Sequence, residues 1–222
     1  KIDERSLVTS IDRSIQYTVD REHKKSLEKY GADGGMVIVM ESKSGKVIAS
    51  SSLPKFDPQK YYEYAGTTYT NPIVSSLFEP GSTFKVLVMA AGIDQGLITP
   101  QTKCDKCDSS LQVGEYKIRT WNDKYYPNTT MTEVIQHSDN TGMVFVGKKL
   151  GIEGLLKYLK SFGLGVTTGI DVQGETTGEL RSQKTWSEID LATASFGQGI
   201  SITPIQLITA VNAIANGGKL VK

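Results

Sequence analysis

Apolar positions along this chain fall into two kinds of pattern. Around Asp12 to Tyr30 they recur at every fourth residue (Ile11, Ile15, Val19), the spacing of one helix face. Ser10 or Asp12 can cap the start of that helix, and the glycines between Gly31 and Gly35 end it. Met36-Val37-Ile38-Val39-Met40 is instead a continuous apolar run rich in β-branched residues. Lys46-Val47-Ile48-Ala49-Ser50 is its return, after the turn chemistry of Ser42-Lys43-Ser44-Gly45. This pair predicts a hairpin of two buried strands. The polar, tyrosine-rich stretch from Pro54 to Thr70 should then cross the surface. Pro80-Gly81 breaks the chain, and a helix is predicted to open at Ser82 and run to Gly96. Val86, Leu87, Val88, Met89, Ala90 and Ala91 make it apolar on nearly every side, so it belongs in the middle of a domain.

Residues 99–127 are polar and loop-like, with a small hairpin in which Leu111-Gln112-Val113 and Tyr116-Lys117-Ile118 flank Gly114-Glu115. One or two helical turns are expected over Thr132–Gln136. Further helices are expected over Thr141–Leu150 and Ile152–Phe162, the latter ended by Gly163. A last helix starts at Thr203-Pro204 and carries Ile205, Leu207, Ile208, Val211 and Ile214. Helix, hairpin and then many helices describe a mixed α/β or α+β domain with an antiparallel sheet.

Composition narrows the picture. With 222 residues the chain can bury one large core, and 38% hydrophobic with 22% charged residues suits a globular protein. A net charge of +1 points away from nucleic acid and from polybasic membrane binding. No apolar run approaches a membrane span. No signal peptide is visible in a stretch that starts at Lys1 without a methionine or an apolar h-region, and Gly217-Gly218-Lys219-Leu220-Val221-Lys222 resembles a turn leading into the start of a strand. We therefore expect residues 1–222 to be one partial domain, open at both ends, whose own residues leave localisation unsettled. Cys104 and Cys107 fit either a local disulfide or two free thiols in a loop. With only His23 and His137 elsewhere, ligands for a structural zinc are too few, and neither a metal nor a cofactor is expected.

Candidate chemistry centres on Glu79-Pro80-Gly81-Ser82-Thr83-Phe84-Lys85. Ser82 and Lys85 are three residues apart and share a helix face. Serine needs a neighbouring base to become a nucleophile, and a lysine kept neutral by burial can serve. Polar Ser82 and Lys85 at the mouth of a buried helix contradict packing alone, which is how catalytic sites announce themselves. The Ser82 N–H, at the helix N-terminus, is placed to stabilise an oxyanion. Downstream, Ser138-Asp139-Asn140 can complete the site. The Ser138 hydroxyl can relay a proton toward a leaving amine, the Asn140 amide can hold Lys85 and a substrate amide, and Asp139 should point away. His137 is read as structural, since Lys85 already fills the role of base. Lys184-Thr185-Trp186 and Thr167-Thr168-Gly169 imitate a K-T-G triplet, but one ends in a bulky residue and the other lacks the lysine.

An S-x-x-K followed by S-D-N resembles the signature of penicillin-binding proteins and class A β-lactamases. Several more segments resemble the transpeptidase domain of class B penicillin-binding proteins. They are Leu7-Val8-Thr9-Ser10-Ile11-Asp12, Ser44-Gly45-Lys46-Val47-Ile48-Ala49, the run from Phe78 to Lys85, the run from Phe196 to Leu207, and Ala215-Asn216-Gly217-Gly218. The resemblance spans nearly the whole chain. It implies an antiparallel sheet flanked by helices and a serine D,D-transpeptidase that cross-links peptidoglycan stem peptides ending in D-Ala-D-Ala. Ser82, Lys85, Ser138 and Asn140 are then catalytic, and β-lactams acylate Ser82. It also implies a place on the outer face of the bacterial cell membrane and other wall-synthesis proteins as partners. The family's K-T-G strand is expected beyond Lys222, so this stretch alone should turn over weakly or not at all. Two alternatives compete: a D,D-carboxypeptidase or β-lactamase in which water replaces the acceptor amine, and a penicillin-sensing module that acylates once.

Overall fold

The structure, a computed structural model, describes residues 6–64 and 66–221, without the side chains of Thr67 and Thr68. The first element, α1 (Arg13–Tyr30), starts where Asp12 accepts the N–H groups of Ser14 and Ile15, and ends at Gly31 in the left-handed conformation. Two strands follow, β1 (Gly35–Met40) and β2 (Val47–Leu53), paired antiparallel from Gly35↔Leu53 to Met40↔Val47 with an irregularity at Val39/Met40. The hairpin was expected, but its burial is only partial: Met36 is 42% exposed, and of the seven-residue return only Ala49 and Ser51 are buried. A two-stranded ladder covered incompletely on each face leaves most of its side chains half-wet.

Alternation along β1 sends Val37 toward α1, while Ile38 and Met40 pack with Ile73, Val74, Ile205 and Ile208 on the other face. The hairpin is thus sandwiched between α1 and a pair of helices, α2 (Pro72–Ser75) and the later α7 (Pro204–Ala215). Along its edge, Gln16 acts as a stand-in for a third strand. Its Oε1 accepts the Ser50 N–H at 2.8 Å and its Nε2 donates to the Ser50 carbonyl at 2.9 Å. The described side chains of the tyrosine-rich stretch are exposed as expected, apart from half-buried Phe56; Ala65 lies outside the described residues.

The second and larger core is helical. A tight 3₁₀ turn over Gly81–Phe84 leads into α3 (Lys85–Asp94), so the α-helix begins three residues later than the sequence pattern predicts. The hairpin β3 (Leu111–Val113) with β4 (Tyr116–Ile118) forms as expected. Cys104 and Cys107 are joined in a disulfide and are fully buried. Next come α4 (Met131–Gln136) and α5 (Asn140–Ser161). The two helices expected over 141–162 are both present and run on from one another as α5, parted at Gly151, whose φ of 66° and ψ of 170° no L-residue adopts comfortably. A further helix, α6 (Glu188–Ala194), was not anticipated. Its start is a capping box between Ser187 and Asp190, and α7 starts with another between Thr203 and Gln206. Phe84 of the 3₁₀ turn, Leu87 and Val88 of α3, Met143, Val144 and Val146 of α5, and Ala192 and Ala194 of α6 fill this core.

No strand forms at 219–221 among the described residues; Lys222 lies outside them. Val221 instead packs by its side chain against the backbone of Gly45, where a Cβ would come within 2.5 Å of it.

Candidate active site

Local folding delivers Ser82 and Lys85 in different states. Ser82 sits in the exposed 3₁₀ turn, whereas Lys85, at the first α-helical position, is 2% exposed. The helix carries its lysine into the core because Phe84, Leu87 and Val88 on either side of it are wholly buried. A charge there must be met by acceptors. The Lys85 Nζ donates to the Ser138 carbonyl at 2.7 Å, the Ser138 Oγ at 2.9 Å and the Asn140 Oδ1 at 2.7 Å. Among the described residues no hydrogen bond joins it to the Ser82 Oγ.

Ser138 owes its position to the end of α4. Asp139 N–H bonds to the Val134 carbonyl and Ser138 N–H to the Ile135 carbonyl, at 2.9 and 3.1 Å. These two bonds make a Schellman ending, with Ser138 in the left-handed slot at φ 52°. Glycine is the usual occupant of that slot, and a serine there costs about 1 kcal/mol. Asp139 turns the other way, as expected. It is 1% exposed, and its Oδ1 caps α5 by accepting Thr141 N–H at 2.7 Å and Gly142 N–H at 3.2 Å. Asn140 then opens α5. Its Oδ1 accepts from Lys85, and its Nδ2 donates to the Arg119 carbonyl at 2.8 Å, which ties the β4 loop to the site.

Burial pulls the Lys85 ammonium down from its ordinary range to about 8, and the negative charge of Asp139 works in the opposite sense. The amine is thus within reach of neutrality near physiological pH. His137 stacks on Tyr126 with ring centroids 4.2 Å apart and planes 13° apart, and among the described residues no hydrogen bond joins it to Lys85. The geometry brings together three of the four residues expected to act (Lys85, Ser138 and Asn140), with Ser82 one helical turn ahead and open to solvent.

Residues 35–222 match the family described as penicillin binding protein transpeptidase domain. The chain belongs to this family. Stage V sporulation protein D of Bacillus subtilis is 38% identical to it over 212 residues, which are 95% of this chain and 33% of that protein. The probable peptidoglycan D,D-transpeptidase PenA of Neisseria gonorrhoeae is 28% identical across 97% of this chain and 36% of its own length. Penicillin-binding protein 3 of Mycobacterium tuberculosis, solved with aztreonam, superimposes with a TM-score of 0.86 at 32% identity, over 94% of this chain and 46% of that one. The chain therefore spans about a third of the length of the curated relatives it matches.

Within this transpeptidase domain the two imitations of K-T-G are structural. Trp186 is 9% exposed beneath the Arg181 guanidinium, and the backbone N–H groups of Thr168 and Gly169 are held by the Glu175 carboxylate. Sequence reasoning overlooked two contributors. One is the Arg119 carbonyl, a backbone group that no side-chain pattern reveals. The other is the segment after α6, which grips the residues before Ser82: Phe78 pairs with Ile202, and Gly81 N–H donates to the Gly197 carbonyl at 2.9 Å. Two glycines around Gln198 were the available signal.

Proposed function

We propose that this chain is the acylating part of a serine D,D-transpeptidase that cross-links peptidoglycan stem peptides. The observation that carries this reading is the buried Lys85 amine, held by Ser138 and Asn140 one helical turn from an exposed serine. In the first step the Ser82 Oγ attacks the carbonyl of the penultimate D-alanine. Its proton passes to neutral Lys85, the base one helical turn away. The Ser82 N–H precedes the first internal bond of its turn and is free for the oxyanion. Collapse of the tetrahedral adduct breaks the peptide bond. The Ser138 hydroxyl, in contact with Lys85, hands the proton to the departing D-alanine amine. An amine of a neighbouring stem then takes the acyl group and regenerates Ser82. A β-lactam enters by the same attack and leaves an acyl group on the same oxygen.

By this reading residues 1–222 are one partial transpeptidase domain, completed by a K-T-G strand that supplies the second oxyanion donor and the contacts to the substrate carboxylate. Loss of one such donor costs about 10² to 10³ in rate. The reaction takes place on the outer face of the cytoplasmic membrane, where the wall is built; among the described residues no helix is long and apolar enough to cross a membrane.

The test is a labelled penicillin, offered to this chain and to a form extended to a K-T-G strand, with the adduct mapped by mass spectrometry. The adduct should sit on Ser82, disappear in Ser82→Ala and Lys85→Ala, and form much faster in the extended form. An adduct elsewhere would refute the assignment of the nucleophile. Equal labelling of both forms would refute the need for the strand.

A further inference from the structure

The turn that carries Ser82 is held from outside by a strap, residues 197–202, that joins α6 to α7. Phe78 and Ile202 exchange both backbone hydrogen bonds, at 3.0 and 3.1 Å. Gly81 N–H donates to the Gly197 carbonyl at 2.9 Å. The chains touch there: Gly197 has φ +83°, and a Cβ on it would lie 2.1 Å from the Gly81 oxygen. The fourth bond differs in kind, because a side chain makes it. Glu79 Oε1 accepts the Gly199 N–H at 3.0 Å, across 120 residues of sequence.

An exposed glutamate is by default a solubilising residue. Here its place argues for more. Only Pro80 and Gly81 separate Glu79 from Ser82. Pro80 has a fixed φ and no N–H, so a shift of Glu79 passes to Gly81 through one stiff residue. The Phe78 pair and the Gly81 bond hold the two ends of the strap, and Ile200 is buried between them. The Glu79–Gly199 bond lies between those two anchors and adds a side-chain hold on the strap from the segment that carries Ser82. It is also charge-assisted, and so stronger than its neutral neighbours.

We propose that Glu79 is a positioning residue for the nucleophile: by holding the Gly199 N–H, its carboxylate fixes the strap and with it the attitude of the Ser82 turn. Glu79 acts through the strap and touches neither substrate nor Lys85. The proposal rests on Ser82 being the acylated group.

The experiment compares Glu79→Ala and Glu79→Gln with the unaltered protein, in this chain and in a form extended to a K-T-G strand. It reads the saturating acylation rate and the Kd for a fluorescent penicillin separately, and amide hydrogen exchange at Gly81 and Gly199. Glu79→Ala should slow the saturating rate about tenfold with Kd within about twofold, and should speed exchange at both amides. Glu79→Gln keeps the acceptor and should recover most of the rate and the protection. A Glu79→Ala protein that acylates at the unaltered rate overturns the proposal. So does one whose Kd and melting temperature collapse together with the rate, or whose loss is not recovered by glutamine. If the unaltered protein forms no adduct at Ser82, the reading of its function fails; amide exchange then judges the strap alone, and unchanged protection in Glu79→Ala overturns it.

Discussion

Under the proposed mechanism, raising the pH from 6 to 10 titrates Lys85 into the neutral form that serves as base, and the rate of Ser82 acylation should record it. Burial holds the ammonium at about 8, against an ordinary lysine value of 10.5. With that value the neutral fraction is about a hundredth at pH 6, about a tenth at pH 7 and about a half at pH 8. The acylation rate should therefore climb about tenfold from pH 6 to 7 and about fivefold from 7 to 8. From 8 to 9 it should climb less than about twofold and then level off. An ordinary lysine would instead give a log-linear rise all the way to pH 10. The sign of the second influence can be tested as well. The Asp139 charge favours the ammonium, so Asp139→Asn, which retains an oxygen to cap α5, should move the bend to lower pH. The assay is stopped-flow acylation by a chromogenic β-lactam at saturating concentration, across the pH series, for both proteins. A flat profile, or a rise that continues unbent through pH 10, would refute Lys85 as a base tuned by burial. A bend that moves upward in Asp139→Asn would refute the electrostatic account.

Three other perturbations have definite outcomes. Ser138→Ala and Ser138→Gly both lose the hydroxyl and should acylate equally poorly, but glycine should be more stable than alanine by about 1 kcal/mol, since only alanine keeps the left-handed strain at φ 52°; equal melting temperatures would contradict the strain. Replacing Cys104 and Cys107 by serine opens a loop of sequence separation 3 and should cost about 2 kcal/mol, or about 4–8 °C in Tm by calorimetry, with the acylation rate scarcely changed. Gly147→Ala places a Cβ 3.0 Å from the Ser195 Cβ and closer still to its Oγ, and should destabilise the α5–α6 contact by about 1–3 kcal/mol; pairing it with Ser195→Gly should recover most of that in a denaturation double-mutant cycle.

The fold was legible where one local rule dominated. Every-fourth-residue spacing, an aspartate cap and a glycine stop marked α1, and an apolar run around a Ser-Lys-Ser-Gly turn marked the β1–β2 hairpin. Helix α6 escaped because Glu188-Ile189-Asp190-Leu191-Ala192-Thr193-Ala194 has only two large apolar residues, although its Ser187–Asp190 capping box was there to be read. Partial exposure of β1 and β2 was not legible, since burial depends on what packs across each face and not on the run itself. Ser82, Lys85, Ser138 and Asn140 could be named from motif chemistry. What motifs could not supply were the long-range facts: the triple coordination of Lys85, the Arg119 carbonyl beneath Asn140, and the strap at 197–202. Apart from the Ser138 hydroxyl, the Asn140 amide and the Glu79 carboxylate, the acceptors in these contacts are backbone atoms, which carry no residue signature.

The same geometry explains why Lys85 is tuned downward even though a buried aspartate is its neighbour in the fold. A carboxylate turned toward the amine would form an ion pair and hold the lysine as an ammonium, useless as a base. Asp139 is prevented from doing so by α5. Its Oδ1 is engaged by the N–H groups of Thr141 and Gly142 and by the Thr141 hydroxyl, where the positive end of the helix absorbs part of its charge. Lys85 is left with neutral acceptors only, two carbonyl-type oxygens and one hydroxyl. Three acceptors favour the ammonium, which has three N–H donors where the neutral amine has two, but burial is the larger influence and lowers Lys85, with the Asp139 charge second. The capping role of Asp139 and the reactivity of Lys85 are therefore one requirement. The S-D-N triplet meets it by placing a helix cap between two side chains that face the lysine.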